Sequence, residues 1–326
     1  MKRAKILGTG SYLPEKILTN SDLEKMVDTS DEWIVKRTGI KERRIAADSQ
    51  TASVLGAEAA KKAVSDAGID IQDIDLVICA TISPDMVFPA TACLIMEKLG
   101  IKDAAAFDVE AACTGYITAL TIAEGMLLAG SYKNALVIAS EVLSRVTDWQ
   151  DRYTCVLFGD GAGAAVLTAS EGESGIIATH LGADGKYGDL LKLPAGGSLQ
   201  PASIDTVNQR LHFMKMEGRE VFKIAVQKMN ESACAALEKA GMGIEDIKVI
   251  VPHQANMRII NSLAKQLKLD MGRVFVNIMK YGNMSAATTA VGFDEVRKNN
   301  IAAEGDVVEL VAFGGGFTWG AIVIRL

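Results

Sequence analysis

Short apolar runs alternate along the chain with longer alanine-rich stretches in which apolar residues recur every three or four positions. The short runs predict buried strands over residues 75–80, 105–109 and 135–139, and the longer stretches predict helices over 90–99 and 115–129. Buried strands that alternate with helices are typical of α/β folds with a covered sheet. The pattern therefore predicts an α/β protein.

The pattern also occurs twice. The segment that begins at Ala60 aligns with the segment that begins at Ala233, at a constant offset of 173 residues. Each copy has the order amphipathic helix, glycine stop, acidic turn and strand, which is one complete helix–strand unit. Chance convergence is the alternative, but ungapped matches favour duplication. We therefore expect two similar halves, residues 1–174 and 175–326, with a site at their shared interface.

Composition narrows the class of protein. The chain has 326 residues, of which 49% are hydrophobic, and a formal net charge of −6, which disfavours nonspecific binding to nucleic acid. Glu124 and Gly125 interrupt even the apolar segment 116–130, so we expect no membrane span. The five cysteines are scattered without metal-ligand spacing. This favours free thiols in the cytoplasm and predicts no metal site.

Cys113 stands where a nucleophile would be placed. It follows a predicted strand and precedes a predicted helix, so we expect backbone N–H groups and the helix dipole to stabilise a thiolate. The small neighbours Ala111, Ala112 and Gly115 leave room for a substrate. The alternative is that Cys113 is a small buried hydrophobe, which is the usual role of a free cysteine.

His253 ends the strand of the second copy, directly after Pro252. The carboxyl ends of strands are where ligands bind in α/β sheets, so this position favours a functional role. An isolated histidine is otherwise more often structural, and that interpretation suits His180 and His212.

Asn283 follows a glycine turn and precedes small residues that open a predicted helix. Taken alone it is best interpreted as a helix N-cap. The 173-residue offset, however, carries Cys113 onto Ala286. The Asn283 turn is then the counterpart of the nucleophile's turn, which predicts that the two turns lie close together.

A third glycine turn, 314–316, contains backbone N–H groups that are suited to an oxyanion hole, although three glycines also simply form a tight bend. The glycines of 8–10 and 159–163 lack the strand, helix and acidic partner of a dinucleotide fingerprint. We therefore do not expect nicotinamide binding.

Together these motifs resemble the β-ketoacyl-acyl carrier protein synthase III family, and the segments that carry the resemblance are Glu110–Gly115, Pro252–Asn256, Gly282–Ala287 and Gly314–Gly320. The resemblance extends over essentially the whole chain. It implies a thiolase-like fold in which two similar halves form a five-layered αβαβα arrangement, normally as a homodimer.

The resemblance also implies a reaction in two steps. Cys113 would take an acyl group from acyl-CoA, with its own N–H and that of Gly316 as the oxyanion hole. His253 and Asn283 would then bind the thioester carbonyl of malonyl-acyl carrier protein and stabilise the enolate formed as CO₂ departs. The carbanion would attack acyl-Cys113 and so initiate fatty acid synthesis. No metal or redox cofactor is implied.

Further residues are implied around the entrance to the site. Those for coenzyme A are Trp33 and Arg152 at the adenine, Arg37 and Thr38 at the nucleotide end, and Asn256 at the pantetheine arm. The alternative is a core anchor for Trp33 and a surface charge for Arg37. Phe88 would line the acyl pocket, in the family often across the dimer interface.

Arg258 and Lys265 lie seven residues apart, and therefore on one face of the predicted helix that opens at Asn256. A basic face on an acidic protein suggests an acidic partner. The resemblance makes that partner the acyl carrier protein and adds Lys223 to the patch. A merely solvated helix face is the alternative.

Three other functions compete with this one. A condensing enzyme of polyketide or long-chain hydrocarbon synthesis would use the same Cys, His and Asn. An acyl-cysteine hydrolase needs an activated water, and the catalytic motifs contain no spare carboxylate for it. A non-catalytic partner subunit usually lacks the nucleophile. The length and branching of the primer stay open, because pocket depth depends on packing around Phe88.

Overall fold

The computed structural model describes residues 2–326. Its strands are β1 (Lys2–Tyr12), β2 (Lys16–Thr19), β3 (Glu42–Ile45), β4 (Leu76–Ala80), β5 (Ala105–Val109), β6 (Asn134–Val142), β7 (Asp160–Glu171), β8 (Gly175–Ala183), β9 (Leu191–Lys192), β10 (Lys215–Met216), β11 (Ile247–Pro252), β12 (Val307–Gly314) and β13 (Thr318–Arg325). Its helices are α1 (Asn20–Leu23), α2 (Asp31–Thr38), α3 (Ala52–Ala67), α4 (Thr91–Leu99), α5 (Gly115–Leu128), α6 (Ile204–Asn208), α7 (Gly218–Ala240), α8 (Met257–Gln266), α9 (Ile278–Tyr281) and α10 (Ala287–Lys298).

Two sheets form the frame of the molecule. The first has the strand order β1-β7-β6-β4-β5, and the second has the order β11-β12-β13-β8. In the first sheet β4 is parallel to β5 and β6, and in the second β11 is parallel to β12. The last strand of each half, β7 or β13, is antiparallel to both of its neighbours. The predicted strands β4, β5 and β6 and helices α4 and α5 are confirmed. The proposed boundary between residues 174 and 175 lies in the turn that joins β7 to β8.

Apolar side chains pack these elements into five layers. Helices α3 and α4 cover one face of the first sheet. Helices α5 and α10 fill the space between the two sheets, and α7 and α8 cover the outer face of the second. Helix α5 is apolar on nearly all sides because it contacts a sheet on each flank. Across residues 2–326, none of the helices combines the length and apolar character needed to cross a membrane.

The repeated unit seen in the sequence has the same backbone in both copies. Gly68 and Gly241 end α3 and α7 in the left-handed conformation, each with φ of 67°. A short 3-10 turn follows each glycine, over residues 71–73 and 244–246, before the strand begins. The copies differ at the sheet edge, because the second sheet has only a single bridge between Ile250 and Val274 where the first has β5.

Candidate active site

Cys113 lies in a tight turn between β5 and α5. The residue before it, Ala112, has a φ of 45°, a left-handed conformation that residues with a side chain seldom adopt. Gly314, the last residue of β12, packs closely against this segment. A Cβ at Gly314 would lie 2.5 Å from the backbone nitrogen of Cys113, so only glycine permits the approach. The surrounding backbone therefore holds the thiol in place.

A cavity of about 750 Å³ opens in front of this turn. Cys113, His253 and Asn283 all line it, together with Gly316. The two halves thus contribute to one space, as the duplication predicts. Most of the remaining wall is apolar, and its larger side chains include Leu143, Val146, Leu157, Phe158, Met214, Met216, Phe222, Met229, Ile259 and Phe313. Such a lining suits an acyl chain or a pantetheine arm.

Burial controls the charge state of Cys113, which is 8% exposed. Burial raises the pKa of this thiol to about 12, although the nearby Ser285 hydroxyl acts in the opposite direction. The backbone N–H group of Cys113 lowers the pKa, as the place at a helix start predicts, but its effect is smaller than that of burial. The cost of desolvating the charge exceeds the contribution of the backbone N–H groups.

His253 follows the last residue of β11, at the carboxyl end of the strand, and is 2% exposed. Its Nδ1 lies 2.6 Å from Thr288 Oγ1. Burial lowers the pKa of the imidazole to about 3, because the charged form would be desolvated. The ring is therefore neutral at physiological pH.

Asn283 joins the two halves of the chain. Its backbone N–H donates to Leu157 O at 2.9 Å, and its carbonyl accepts from Gly159 N at 3.0 Å. Its side-chain Oδ1 accepts a hydrogen bond from Ser285 N at 2.8 Å. The N-cap of α10 is Ala286 rather than Asn283. Because Oδ1 is engaged, the carboxamide has its Nδ2 N–H groups available for a ligand in the cavity.

Three aromatic and basic side chains form a cluster near the cavity. The guanidinium groups of Arg152 and Arg37 lie 4.9 Å and 5.4 Å from the Trp33 ring centroid. Asn256 connects this cluster to the cavity, because it lines the cavity and its Nδ2 donates to Arg37 O at 3.0 Å. The arrangement offers a π surface and positive charge, as a nucleotide requires.

Thr38 does not fit the predicted nucleotide contact. It is buried, and its hydroxyl donates to Ile34 O at 2.7 Å while accepting from Ile40 N at 3.0 Å. The side chain therefore completes the C-terminal end of α2. We do not retain it as a ligand contact.

Phe88 lies on the surface of the chain, and its place in an acyl pocket across a dimer interface stays a prediction. It is 82% exposed and lies outside the set of residues that line the cavity of its own chain. Its neighbours Met86 and Val87 are exposed as well, and of the three only Val87 lines the cavity. The segment between β4 and α4 thus presents an apolar surface that its own chain does not cover.

The predicted basic face lies beside the cavity. Arg258 lies over the ring of Phe222, with its guanidinium carbon 5.3 Å from the ring centroid, and Phe222 lines the cavity. Lys223 is therefore adjacent, although its Nζ lies 3.1 Å from Glu220 in an exposed ion pair. Lys265 is exposed in the last turn of α8. Lys223 thus lies on α7, and Arg258 and Lys265 lie on the neighbouring α8.

The other histidines and cysteines lie elsewhere. His180 is in β8 and His212 contacts Thr206, and neither lines the cavity of the described chain. Within residues 2–326 no group of three or more His, Cys, Asp or Glu side chains is placed to hold a metal ion. The structure also places Thr288 beside His253, a contact that the sequence did not predict. Its place five residues after Asn283 carries no sequence signal, because its contact with His253 is purely tertiary.

Comparisons with known proteins identify the family of this chain. The family model of 3-oxoacyl-acyl-carrier-protein synthase III matches residues 107–185, and the model of its C-terminal region matches residues 237–326. The β-ketoacyl-acyl-carrier-protein synthase III of Caldanaerobacter subterraneus is 54% identical over 322 residues, which cover 99% of this chain and 97% of that protein.

Two solved structures are also similar. The 3-oxoacyl-acyl-carrier-protein synthase III of Aquifex aeolicus is 48% identical, with a TM-score of 0.92 and coverage of 99% of this chain and 100% of that one. The enzyme from Thermus thermophilus is 42% identical, with a TM-score of 0.92 and coverage of 99% of both chains. This chain therefore belongs to the 3-oxoacyl-acyl-carrier-protein synthase III family and has its thiolase-like fold.

Proposed function

We propose that this protein transfers an acyl group from acyl-CoA to Cys113 and condenses it with malonyl-acyl carrier protein, with loss of CO₂, to give a 3-oxoacyl-acyl carrier protein. This reaction would initiate fatty acid synthesis. The observation that supports it most strongly is that one apolar cavity is lined by a thiol, a neutral imidazole and a carboxamide with available N–H groups.

In the first step the sulfur of Cys113 attacks the thioester carbonyl of acyl-CoA. The developing oxyanion accepts hydrogen bonds from the N–H groups of Cys113 and Gly316. The bond to the coenzyme A sulfur then breaks, and coenzyme A leaves as a thiol that carries the proton lost by Cys113. Trp33, Arg37 and Arg152 hold the nucleotide end during this step.

In the second step the thioester carbonyl of the malonyl group accepts hydrogen bonds from His253 and Asn283. The bond to the carboxylate breaks, CO₂ leaves, and the electron pair forms an enolate on that carbonyl. The enolate carbon attacks the acyl carbonyl on Cys113, whose sulfur leaves and is reprotonated. Neutral donors suit this step, because they stabilise the negative charge that forms on the carbonyl oxygen as CO₂ leaves. No metal or redox cofactor takes part.

The proposed partners follow from the surfaces around the entrance. Lys223, Arg258 and Lys265 would receive the acidic acyl carrier protein, and Asn256 would contact the pantetheine arm. The exposed segment around Phe88 supports a homodimer in which this ring reaches the acyl pocket of the partner subunit. Five free cysteines support a cytoplasmic location. Residues 1–174 and 175–326 would act as two duplicated halves, one with the nucleophile and one with His253 and Asn283.

Product analysis tests this function. Purified protein is incubated with malonyl-acyl carrier protein and one acyl-CoA at a time, from acetyl-CoA through branched and longer primers, and the carrier is analysed by mass spectrometry. We expect a 3-oxoacyl-acyl carrier protein with at least one primer, and none with the Cys113→Ala control. Release of free fatty acid without any extended carrier would instead indicate a hydrolase.

A further inference from the structure

The hydroxyl of Thr288 lies between two groups to which it can donate, a ring nitrogen of His253 and a backbone carbonyl. Thr288 is fully buried in the first turn of α10. Its Oγ1 lies 2.6 Å from His253 Nδ1 and 2.8 Å from the carbonyl oxygen of Ser285. A hydroxyl has one proton to donate, so it can donate to only one of these acceptors at a time.

The acceptor to which Thr288 donates determines which ring nitrogen of the neutral His253 carries the proton. If Thr288 donates to Ser285 O, its oxygen must accept from Nδ1–H, and Nε2 is then a bare acceptor. If Thr288 donates to Nδ1, the ring proton lies on Nε2, which becomes a donor. Only the second arrangement allows His253 to donate to a thioester carbonyl.

The second arrangement leaves no backbone group unpaired. The Ser285 carbonyl also accepts a hydrogen bond from the backbone N–H of Thr288 at 3.2 Å, so it keeps a partner when the hydroxyl turns away. A carbonyl bound in the cavity would face a lone pair on Nε2 in the first arrangement and an N–H in the second. Substrate binding therefore selects the second arrangement.

The first half of the molecule has no hydroxyl–imidazole pair at the equivalent positions. The 173-residue offset pairs Thr288 with Gly115 and His253 with Ala80. A Cβ built on Gly115 would lie 3.0 Å from Ala80 Cβ, so the equivalent positions are also neighbours. The duplicated frame thus brings these two positions together in both halves, and only the second half places a hydroxyl beside an imidazole.

We propose that Thr288 is a positioning residue that stabilises the Nε2-protonated tautomer of His253 when substrate is bound, by donating its hydroxyl proton to Nδ1 while Nε2–H donates to the malonyl carbonyl. This inference rests on the proposed condensation. Thr288 then supports the decarboxylation step and takes no part in acyl transfer to Cys113.

The test compares Thr288→Val, which keeps the shape and removes the hydroxyl, with Thr288→Ser, which keeps the hydroxyl. We expect CO₂ release from malonyl-acyl carrier protein to fall about 10- to 100-fold in Thr288→Val, because Nδ1 would be buried without a donor. Acylation of Cys113 by acetyl-CoA should stay within about twofold of wild type. Thr288→Ser should restore most of the CO₂ release. Unchanged CO₂ release in Thr288→Val, or equal loss of both half-reactions, would overturn the proposal.

Nitrogen NMR reads the tautomer directly. The chain has three histidines, so ¹⁵N-histidine labelling gives three rings, and the His253→Ala spectrum identifies the signals of His253. With the malonyl amide of coenzyme A bound, in which nitrogen replaces the thioester sulfur, we expect the proton on Nε2 in wild type and on Nδ1 in a substantial fraction of Thr288→Val. A proton on Nδ1 in the wild-type complex would overturn the proposal. A wild-type protein that neither acylates nor releases CO₂ would instead refute the proposed function.

Discussion

The turn before α5 and the turn before α10 have similar backbone conformations but different side chains. Ala112 in the first and Ser285 in the second are 173 residues apart and have φ values of 45° and 47°. The turns also meet in space, because a Cβ on Gly115 would lie 3.3 Å from Ala286 Cβ. Duplication has therefore placed two equivalent turns face to face between the sheets.

Each polar group of the site occurs in one half only. Under the same offset, Cys113 pairs with Ala286, His253 with Ala80 and Asn283 with Glu110. The first half thus supplies the thiol, and the second supplies the imidazole and the carboxamide. The repeated frame thus provides the geometry, whereas single residues at equivalent positions provide the chemistry.

Moving the thiol to the other turn should have the largest effect. In a Cys113→Ala/Ala286→Cys double variant the sulfur would face Ala80 and Glu110 instead of His253 and Asn283. We expect condensation to fall at least about 10³-fold, as in Cys113→Ala alone. Intact-protein mass spectrometry after incubation with acetyl-CoA measures the acyl-enzyme. Acylation restored by Ala286→Cys would show that the two turns are interchangeable.

Displacing the nucleophile's turn should have the next largest effect. Gly314→Ala forces a Cβ to within 2.5 Å of Cys113 N, so the turn must shift. A displacement of about 1 Å lowers the condensation rate about 10²-fold. Gly125→Ala is the matched control, because a Cβ there meets nothing within 4 Å. The control should keep its activity and gain up to about 1 kcal/mol of helix stability. Equal rates in both variants would show that Gly314 does not constrain the site.

Charge reversal on the second half should affect one substrate only. We expect Arg258→Glu to raise the KM for malonyl-acyl carrier protein about tenfold and to leave acylation by acetyl-CoA unchanged, because only the carrier is a large acidic partner. Steady-state kinetics with each substrate measure the split. Lys102→Glu, an exposed charge in the first half, serves as the control. Equal loss with both substrates would argue against carrier docking at this helix.

The smallest effect concerns two buried carboxyl groups, one in each sheet. Glu141 Oε2 accepts hydrogen bonds from Thr81 Oγ1, Ile82 N and Ser83 Oγ, whereas neither carboxyl oxygen of the fully buried Glu309 has a partner among the described residues. Glu309→Met should therefore increase the free energy of unfolding by about 1–3 kcal/mol at pH 8. Glu141→Met should decrease it, since three donors lose their acceptor.

The pH dependence of unfolding provides the control for Glu309. Burial raises the pKa of this carboxyl well above its ordinary 4.5, so the folded state holds a proton that the unfolded state releases. Its contribution to stability is complete below pH 4.5 and declines as the pH rises above that value. Urea unfolding should therefore show the Glu309→Met difference growing with pH. A constant difference would mean that the carboxyl does not titrate on unfolding.

Local pattern predicted much of this fold. The apolar run 105–109 became β5 with the same bounds, and the repeat around Gly68 and Gly241 predicted two equivalent units. The offset from Cys113 to Ala286 also predicted that the nucleophile's turn and the Asn283 turn would meet. These features were predictable because periodicity and glycine conformation depend on neighbouring residues, and because a duplication can be recognised by aligning the chain with itself.

Properties that depend on distant surroundings were not predicted. The high pKa of Cys113 comes from burial by both halves, which outweighs its local place at a helix start. The Thr38 hydroxyl is taken up by a hydrogen bond inside α2, which removes it from the surface. The contact between Thr288 and His253 joins residues 35 positions apart. No local pattern encodes such contacts or the degree of burial.

Assignment of acylation to one half and decarboxylation to the other is tested most directly by measuring both half-reactions in Cys113→Ala and His253→Ala proteins. Mass spectrometry follows acyl transfer from acetyl-CoA, and trapped CO₂ follows decarboxylation of malonyl-acyl carrier protein. Cys113→Ala should lose acylation and still release CO₂. His253→Ala should acylate and lose CO₂ release about 10²- to 10³-fold. The reverse pattern, or joint loss of both reactions in both variants, would contradict the assignment.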